Sequence, residues 1–426
     1  MSYSGQRVYA RARNDHPMTV TIDDIRKAAE LITDGVIRTP AISSAGLSAI
    51  SGADVVLKLE NLQVTGSFKP RGAMVKMSSL SAEERKAGVI ASSAGNHAQG
   101  VAYHAQRWDI PAVIVMPEHT PFTKVARTEA YGAKIVLHGE NLADSREHAS
   151  IIAEKEGFHF IHPYDDEKVV AGQGTVGLEL LEDHPDLDVL IIPIGGGGLI
   201  AGSAIAAKAA NPDIEILGVE AALYPSMHQA MTGGGPCGAG QTIADGIAVK
   251  VPGEVTRPII KELVSEILLV EETSIENAVE TYLEAQHIVA EGAGAASLAV
   301  LLEHPDRFRG KKVGLVVSGG NIDSRLLSSI MLRGLVRAGR LVRLRVEIID
   351  QPGVLAKVTG LIGDSGGNIV EVYHQRMFYD LPVKRADVDV VIETLDSGHM
   401  HKIMDRLEKA GFHTRVLGTT SGNAPS

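Results

Sequence analysis

One stretch of the chain, residues 190–202, constrains the fold more than any other. It reads LIIPI-GGGG-LIAG, a buried strand followed by four glycines and a helix of small residues. Backbone N–H groups in such a loop can surround a phosphate, with the positive end of the helix dipole behind them. The loop has neither the Gly-Lys-Ser/Thr ending of a Walker loop nor the dinucleotide-binding spacing. It therefore predicts a phosphate site without magnesium, with a flexible glycine hinge as the alternative. The residues of the predicted site are Gly195, Gly196, Gly197, Gly198 and Leu199.

Other strand-to-helix junctions indicate a parallel α/β sheet. Short apolar runs predict strands, and helical spacing follows several of them. Strands and helices that alternate in this way are typical of a parallel sheet with helices on both faces, which binds ligands beyond the carboxyl ends of its strands. The predicted strands are residues 55–59, 89–91, 112–115, 132–137, 190–194, 214–220 and 313–317.

Small polar residues follow the strand at residues 89–91. Backbone N–H groups at such a junction, together with the helix dipole, favour an anion such as a carboxylate. An ordinary capped turn is the alternative. The residues of this second predicted site are Ser93, Ala94, Gly95, Asn96 and His97.

The lysine in TGSFKPRGA, residues 65–73, has an unusual setting. Phe68 and Pro70 flank Lys69 and restrict its backbone. Neighbours that exclude water lower the pKa of an amine and make it nucleophilic, as a Schiff-base lysine requires. Most lysines are surface charges, so an exposed Lys69 is the alternative.

The pattern changes after about residue 335. Residues 342–348 alternate apolar side chains with Arg343, Arg345 and Glu347, which predicts a strand with one face in water. Two helices and three more strands are predicted after it, in the β-α-β-β-α-β order of a ferredoxin-like α+β domain. We expect the first strand to leave an edge that pairs with another copy, which would give a dimer or tetramer. The later predicted elements are residues 354–362, 369–372, 388–392, 403–407 and 413–417.

Charge and cysteine content narrow the range of partners and compartments. The formal net charge of −11 would repel a polyanion, so no nucleic acid is expected. The apolar stretch 189–207 contains a proline and several glycines, so no membrane span is expected. A single cysteine, Cys237, is compatible with a reducing cytoplasm, although the arginine-containing leader leaves an organellar presequence as an alternative. His159 and His162 lack carboxylate or thiolate neighbours at ligand spacing, and no metal site is expected at them.

Four motifs in order resemble threonine dehydratase (threonine ammonia-lyase): GSFKPRG (66–72), SAGNHAQG (93–100), the four-glycine loop and SGGN (318–321). These enzymes use pyridoxal phosphate and have the two-lobed tryptophan synthase β-like fold, called fold type II. The segment DQPGVL, residues 350–355, resembles an ACT domain, a module that commonly binds amino acids. The resemblance implies a polar leader (1–20), a catalytic α/β unit (21–330) whose small lobe at about 60–150 is inserted in the large lobe, and an ACT-like regulatory domain (331–426).

The same resemblance implies roles for individual residues. Lys69 would form the Schiff base with the cofactor and then act as base and acid, with Phe68 against the cofactor ring. Asn96 would bond the cofactor's phenolic oxygen, and residues 93–97 would hold the substrate carboxylate. The glycine loop would hold the phosphate, and Ser318 would face the pyridine nitrogen.

Departures from related patterns favour dehydration. Serine racemases of this fold carry a serine at the position of Ala94, and cysteine synthases have a threonine in place of His97. Some relatives bind a divalent ion beside a glutamate like Glu220 and an aspartate six residues later, where this chain has Ser226. A divalent site is therefore not expected, while a monovalent cation stays open.

The expected reaction converts L-threonine to 2-oxobutanoate and ammonia, with L-serine as a secondary substrate. The alternatives are a dehydratase that prefers serine or 3-hydroxyaspartate, a serine racemase, and a non-catalytic amino-acid sensor. A sensor would not need a desolvated Schiff-base lysine.

Overall fold

The computed structural model describes residues 19–234, 238, 240–375 and 385–417. Residue contacts divide the chain into two compact units, with the division between Ile322 and Asp323. Residues 1–18 of the leader and Cys237 lie outside the described residues.

The first unit alternates strands with helices, as the sequence predicts. Its strands are β1 (Ala41–Ser43), β2 (Asp54–Leu59), β3 (Val89–Ser92), β4 (Ala112–Met116), β5 (Lys134–Leu137), β6 (His159–Phe160), β7 (Val189–Pro193), β8 (Glu215–Ala221), β9 (Glu266–Val270) and β10 (Lys312–Val317). Its helices are α1 (Ile22–Ile32), α2 (Ala45–Ser51), α3 (Lys69–Ser78), α4 (Ala82–Ala87), α5 (Asn96–Arg107), α6 (Phe122–Glu129), α7 (Leu142–Glu156), α8 (Glu167–Asp183), α9 (Gly198–Ala210), α10 (Ser226–Thr232), α11 (Thr256–Leu263), α12 (Glu272–Gln286), α13 (Gly292–Glu303) and α14 (Pro305–Phe308).

The larger sheet of this unit has six strands in the order β1-β2-β10-β7-β8-β9. β1 is antiparallel to β2, and the other five strands are parallel. β7 is buried along its whole length, as expected for a strand covered by helices on both faces. The apolar stretch 189–207 is thus strand, loop and helix, as predicted, and every helix that the structure describes is too short or too polar to cross a bilayer.

A second, four-stranded sheet has the order β5-β4-β3-β6, with all strands parallel. Helix α5 packs on it through the apolar side chains of Ala98, Val101 and Ala102. The elements that the sequence analysis did not predict include β1, β9, α7 and α8. Some of their starts are nevertheless local signals, such as the capping box of Asn141 and Asp144 at the start of α7.

The second unit contains α15 (Ser324–Arg337), β11 (Leu341–Ile349), α16 (Val354–Gly363), β12 (Asn368–Gln375), β13 (Arg385–Glu393), α17 (Ser397–Lys409) and β14 (Thr414–Val416). Its antiparallel sheet has the order β12-β13-β11-β14. Apolar side chains of β11, β13, α16 and α17 form its core. The predicted β-α-β-β-α-β arrangement is confirmed.

Two details predicted for β11 are wrong. Arg345 is buried instead of facing water, because its guanidinium donates to both carboxylate oxygens of Asp389, at 2.7 and 2.9 Å. β11 also lies inside the sheet, between β13 and β14, so it offers no edge to a second copy. The outer strands of the sheet are β12 and β14.

Candidate active site

The candidate site lies where loops leave the carboxyl ends of five parallel strands: β2, β3, β6, β7 and β10. Two of these loops are joined directly. The Phe68 N–H donates to the Ser318 carbonyl at 3.1 Å, and the Gly320 N–H donates to the Gly66 carbonyl at 2.9 Å. The lysine segment and the SGGN motif, far apart in sequence, are therefore neighbours in the fold. Ser318 itself is buried at the end of β10.

Lys69 is the first residue of α3, and its side chain is partly buried. Its Nζ donates to the Pro163 carbonyl at 2.9 Å and lies 5.0 Å from the centre of the Phe68 ring. Loss of hydration lowers the pKa of Lys69 to about 8, although the negative charge of Glu291 opposes the shift. Helix α5 approaches the Lys69 backbone closely at Gly100, where a side-chain carbon would lie 3.2 Å from the Lys69 carbonyl carbon.

The glycine loop contributes main-chain groups to the candidate site. Within the described part of the chain, the N–H groups of residues 195–199 have no acceptor. Gly197 has a φ of +95°, which favours glycine, and an added Cβ at Gly196 would lie 2.1 Å from the Tyr164 ring. The Thr256 hydroxyl fixes the loop by donating to the Gly196 carbonyl at 2.7 Å. N–H groups at the start of α9, without acceptors of their own, fit a phosphate group.

The side chains of the loop after β3 mainly form hydrogen bonds to other groups of the protein. Ser93 accepts from the Gly95 N–H at 3.2 Å, and the His97 Nε2–H donates to the Ile161 carbonyl at 2.8 Å. Burial, with a smaller effect of the Lys69 charge, lowers the pKa of His97 to about 3, so its imidazole is neutral. An anion here would meet the backbone N–H groups at the start of α5, while Ala94 packs against the core of the small sheet.

Glu291 is a residue of the site to which the sequence analysis assigned no role. Its Oε1 accepts from Asn96 Nδ2 at 2.7 Å, and Asn321 Nδ2 donates to Asn96 Oδ1 at 2.8 Å. Burial raises the pKa of Glu291 to about 7. No local pattern marks this glutamate, because its partner is 195 residues away.

The loop after β6 also contributes residues that the sequence analysis missed. The Pro163 carbonyl accepts from Lys69 and also from Gln173 Nε2, at 3.2 Å. The Tyr164 hydroxyl donates to the Val251 carbonyl at 2.9 Å, which fixes the ring that lies over Gly196. This loop therefore connects the lysine to the glycine loop.

A buried group of charges anchors the start of α3. Arg71 donates to both oxygens of Glu60, each at 2.8 Å, and to both oxygens of Glu179, at 2.7 and 2.8 Å. Lys58 adds a second cation, which donates to Glu179 and to the Thr39 carbonyl. The positive charges of two cations thus balance the negative charges of two carboxylates. Arg71, at the centre of this group, lies only two residues after Lys69.

The residues considered for metal binding have protein partners. Glu220 accepts from the N–H groups of Met227 and His228, both at 2.8 Å, and so caps α10. His162 Nδ1 accepts from the Asp165 N–H at 2.7 Å. In the parts of the chain that the structure describes, no three metal-binding side chains converge.

Comparisons with known proteins identify two families. Residues 32–319 match the family described as pyridoxal-phosphate dependent enzyme, and residues 342–412 match the ACT domain. The chain is 43% identical over 401 residues to L-threonine ammonia-lyase of Thermotoga maritima, covering 94% of this chain and 100% of that protein.

Solved structures agree in fold with the first unit. The threonine deaminase of T.th. is 40% identical, with a TM-score of 0.68, and the match covers 71% of this chain and 99% of that one. Maize serine racemase is 37% identical, with a TM-score of 0.69 and coverage of 75% and 98%. The fold is therefore shared by enzymes whose names describe different reactions.

Proposed function

The chain belongs to the family of pyridoxal-phosphate dependent enzymes and carries an ACT domain, and we propose that it is a threonine ammonia-lyase. It would convert L-threonine to 2-oxobutanoate and ammonia. The observation that carries this choice of reaction is the 43% identity to an L-threonine ammonia-lyase, which extends over 94% of the chain and so includes both units.

The residues of the site fit pyridoxal phosphate. The glycine loop offers N–H groups to its phosphate, and Lys69 offers an amine with a pKa of about 8 for covalent attachment. When bound, the cofactor supplies a ring that withdraws electrons from the substrate's α-carbon. In this proposal Phe68 lies against that ring, Ser318 faces its nitrogen and Asn96 bonds its phenolic oxygen.

Lys69 would remove the α-proton of the substrate, and residues 93–97 would hold the substrate carboxylate through N–H groups at the start of α5. The β-hydroxyl would take up a proton from Lys69, now acting as acid, and leave as water. Another water would then hydrolyse the C=N bond of the released imine, which gives 2-oxobutanoate and ammonia. The overall change is loss of ammonia from threonine, with no oxidant or reductant needed. L-Serine has the same β-hydroxyl and would be a secondary substrate.

Other reactions remain as alternatives to be tested. A preference for serine or 3-hydroxyaspartate would use the same residues. Racemisation of serine is disfavoured because Ala94 offers no proton donor on the second face of the substrate. A non-catalytic sensor is disfavoured because Lys69 keeps a low pKa in the cleft.

The second unit would regulate the first by binding an amino acid near residues 350–353. Gly353 is the N-cap of α16 and has a φ of +85°, and an added Cβ there would contact no atom within 4 Å, so a ligand can approach its backbone. Isoleucine or valine is the effector we propose for a biosynthetic enzyme, acting on a homo-oligomer, a dimer or tetramer. A typical coupling of about 1–3 kcal/mol corresponds to about 5–150-fold in affinity. We place the protein in the cytoplasm, because a chain with a single cysteine is compatible with a reducing compartment.

The test is release of the keto acid from L-threonine, L-serine and 3-hydroxyaspartate, each with potassium or lithium as the monovalent cation. We expect the highest kcat/KM with threonine. A higher value with serine or 3-hydroxyaspartate would contradict the proposed specificity.

The regulatory proposal needs a separate experiment. A chain ending at Ile322 is compared with the full chain, with isoleucine and valine titrated against both. We expect the shortened enzyme to keep its catalysis and lose its response. Loss of catalysis in a folded, cofactor-bound truncation would contradict the separation of the two roles.

A further inference from the structure

Glu291 occupies an unusual position for its residue type. It precedes α13 as the N-cap, where serine, threonine, aspartate and asparagine are preferred, and its side chain makes no capping hydrogen bond. The carboxylate instead accepts a hydrogen bond from Asn96 Nδ2 at 2.7 Å. Helix α13 therefore gives up a cap, and the carboxylate reaches the candidate site.

The space around this carboxylate is kept clear by a glycine. A Cβ added to Gly319 would lie 2.5 Å from Glu291 Oε1. The Glu291 N–H also donates to the Gly319 carbonyl at 3.0 Å, which fixes the loop after β10 against the glutamate. Asn96, held by Asn321 on its other side, is thus oriented by the loops that adjoin the lysine segment.

The groups that act on Glu291 come from several elements. Lys69 on α3 interacts with it electrostatically, and Asp245, in the 3-10 turn Asp245–Ile247, raises its pKa. Lys124 on α6 lowers that pKa, as does the Asn321 N–H. Lys124 and Asp245 are themselves paired at 2.7 Å.

We propose that Glu291 is a positioning residue, which orients Asn96 and, through its charge, controls when the Lys69 amine can react with the cofactor. This inference rests on the proposed function, because it takes Lys69 as the attachment residue. When Glu291 is ionised it favours the protonated amine of Lys69, and when it is protonated this effect is lost.

The pKa values place the coupling near neutral pH. Burial raises the pKa of Glu291 to about 7 and lowers the pKa of Lys69 to about 8, so the charge of each group changes in the pH range where the other gains or loses its proton. Their titrations are coupled, and the apparent values belong to the pair. Glu291→Gln removes the charge and keeps an oxygen that can accept from Asn96.

The experiment measures the rate at which the full chain, freed of cofactor, takes up pyridoxal phosphate. Uptake is followed by absorbance between about pH 6 and 10, a range that includes the pKa values of Glu291 and Lys69. Only the neutral amine attacks an aldehyde. We expect Glu291→Gln to move the midpoint of the profile to lower pH by about one unit, because a nearby opposite charge raises an amine's pKa by that order. An unchanged midpoint in folded Glu291→Gln would overturn the inference.

Glu220 supplies a matched control. It is also a glutamate whose pKa burial raises to about 7, but its carboxylate accepts from the N–H groups of Met227 and His228 at the start of α10 instead of from Asn96. Glu220→Gln should leave the midpoint in place. A shift equal to that of Glu291→Gln would show a general effect of charge removal and overturn the specific coupling.

Asp245→Asn tests the coupling without touching the interior, since the Asp245 side chain is 68% exposed. Removing its charge should lower the pKa of Glu291, so the effect of the Glu291 charge on cofactor uptake should begin at lower pH. An upward shift, or none, would count against the inference. If the wild-type chain attaches no cofactor at any pH, the proposed function fails, and this inference fails with it.

Discussion

The two ends of the candidate site present different chemical groups. At the phosphate end, residues 195–199, the groups facing the cleft are main-chain N–H groups, fixed by Tyr164 and Thr256. At the lysine end, they are the side chains of Lys69, Asn96 and Glu291, held by bonds between distant loops. The first end depends on the absence of side chains and the second on their presence.

Because of this difference, cofactor binding should respond to added side-chain volume at one end of the site and to pH at the other. Main-chain N–H groups do not titrate in the physiological range, so the grip on a phosphate changes with pH only through the phosphate itself. Lys69 has a pKa of about 8 and Glu291 of about 7, so the lysine end changes charge near neutrality. We therefore expect pH to act on cofactor attachment and catalysis at the lysine end.

The largest expected effect is at the lysine end. Lys69→Ala removes both the attachment residue and the proposed base, so keto-acid release should fall by more than the factor of about 10²–10⁴ typical of one general base. Lys76→Ala is the control, because Lys76 lies on the same helix but pairs with Asp166 near the surface. Appreciable turnover by Lys69→Ala with cofactor bound would contradict the assignment.

A large effect on the free energy of unfolding is expected at the buried group of charges around Arg71. Arg71→Leu leaves Glu60 and Glu179 buried with Lys58 as the remaining cation of the group, and breaking a buried pair costs about 3–5 kcal/mol. Lys76→Leu breaks the pair between Lys76 on α3 and Asp166, whose side chains are 25% and 20% exposed, and should cost less than Arg71→Leu. Urea unfolding of both variants measures the difference, and similar losses would refute a special role for the buried group.

The backbone of residues 190–202 was predictable from sequence because its strand, loop and helix are local features. A strand, four glycines and a helix of small residues are adjacent in the chain, and the structure has β7, the loop and α9 in the same order. The same holds for the strand before Asn96 and for the β-α-β-β-α-β order of the second unit. In each case neighbouring residues determine the backbone.

The lysine end was only partly predictable because its contacts are distant in sequence. The setting of Lys69 is visible in its neighbours, but the Pro163 carbonyl is 94 residues away and Glu291 is 195 residues from Asn96. The prediction that Arg345 is exposed was wrong for the same reason. The alternating pattern predicts exposure, but the buried partner of Arg345 is Asp389, 44 residues later. A pairing that the fold alone creates leaves no periodic signal.

A smaller effect should distinguish the phosphate end. Gly196→Ala places a carbon 2.1 Å from the Tyr164 ring, so the loop or the ring must move. Cofactor affinity should fall by about tenfold, which corresponds to about 1.4 kcal/mol. The pH midpoint of cofactor uptake should stay where it is in the unmodified chain, and a shift of that midpoint would contradict the separation of the two ends.

A glycine elsewhere provides the control for this substitution. At Gly360 in α16, an added Cβ has no atom within 4 Å, so Gly360→Ala introduces the same methyl group without a clash. Cofactor affinity should be unchanged in Gly360→Ala. An equal loss in both variants would show that the effect at Gly196 is not steric.

The smallest expected effect concerns which face of the substrate can receive a proton. Ala94 lies partly buried in the turn after β3, between the strand and the start of α5. Ala94→Ser adds a hydroxyl at the position where serine racemases of this fold carry one, so the variant should produce detectable D-serine from L-serine. Racemisation should remain far slower than dehydration, because a general acid or base contributes its factor of about 10²–10⁴ only within hydrogen-bond reach.

Chiral analysis of recovered serine measures the effect, with the unmodified chain as the control. If the variant is folded, dehydrates threonine and yields no D-serine, then Ala94 does not face the substrate, and the placement of residues 93–97 around the carboxylate must be revised.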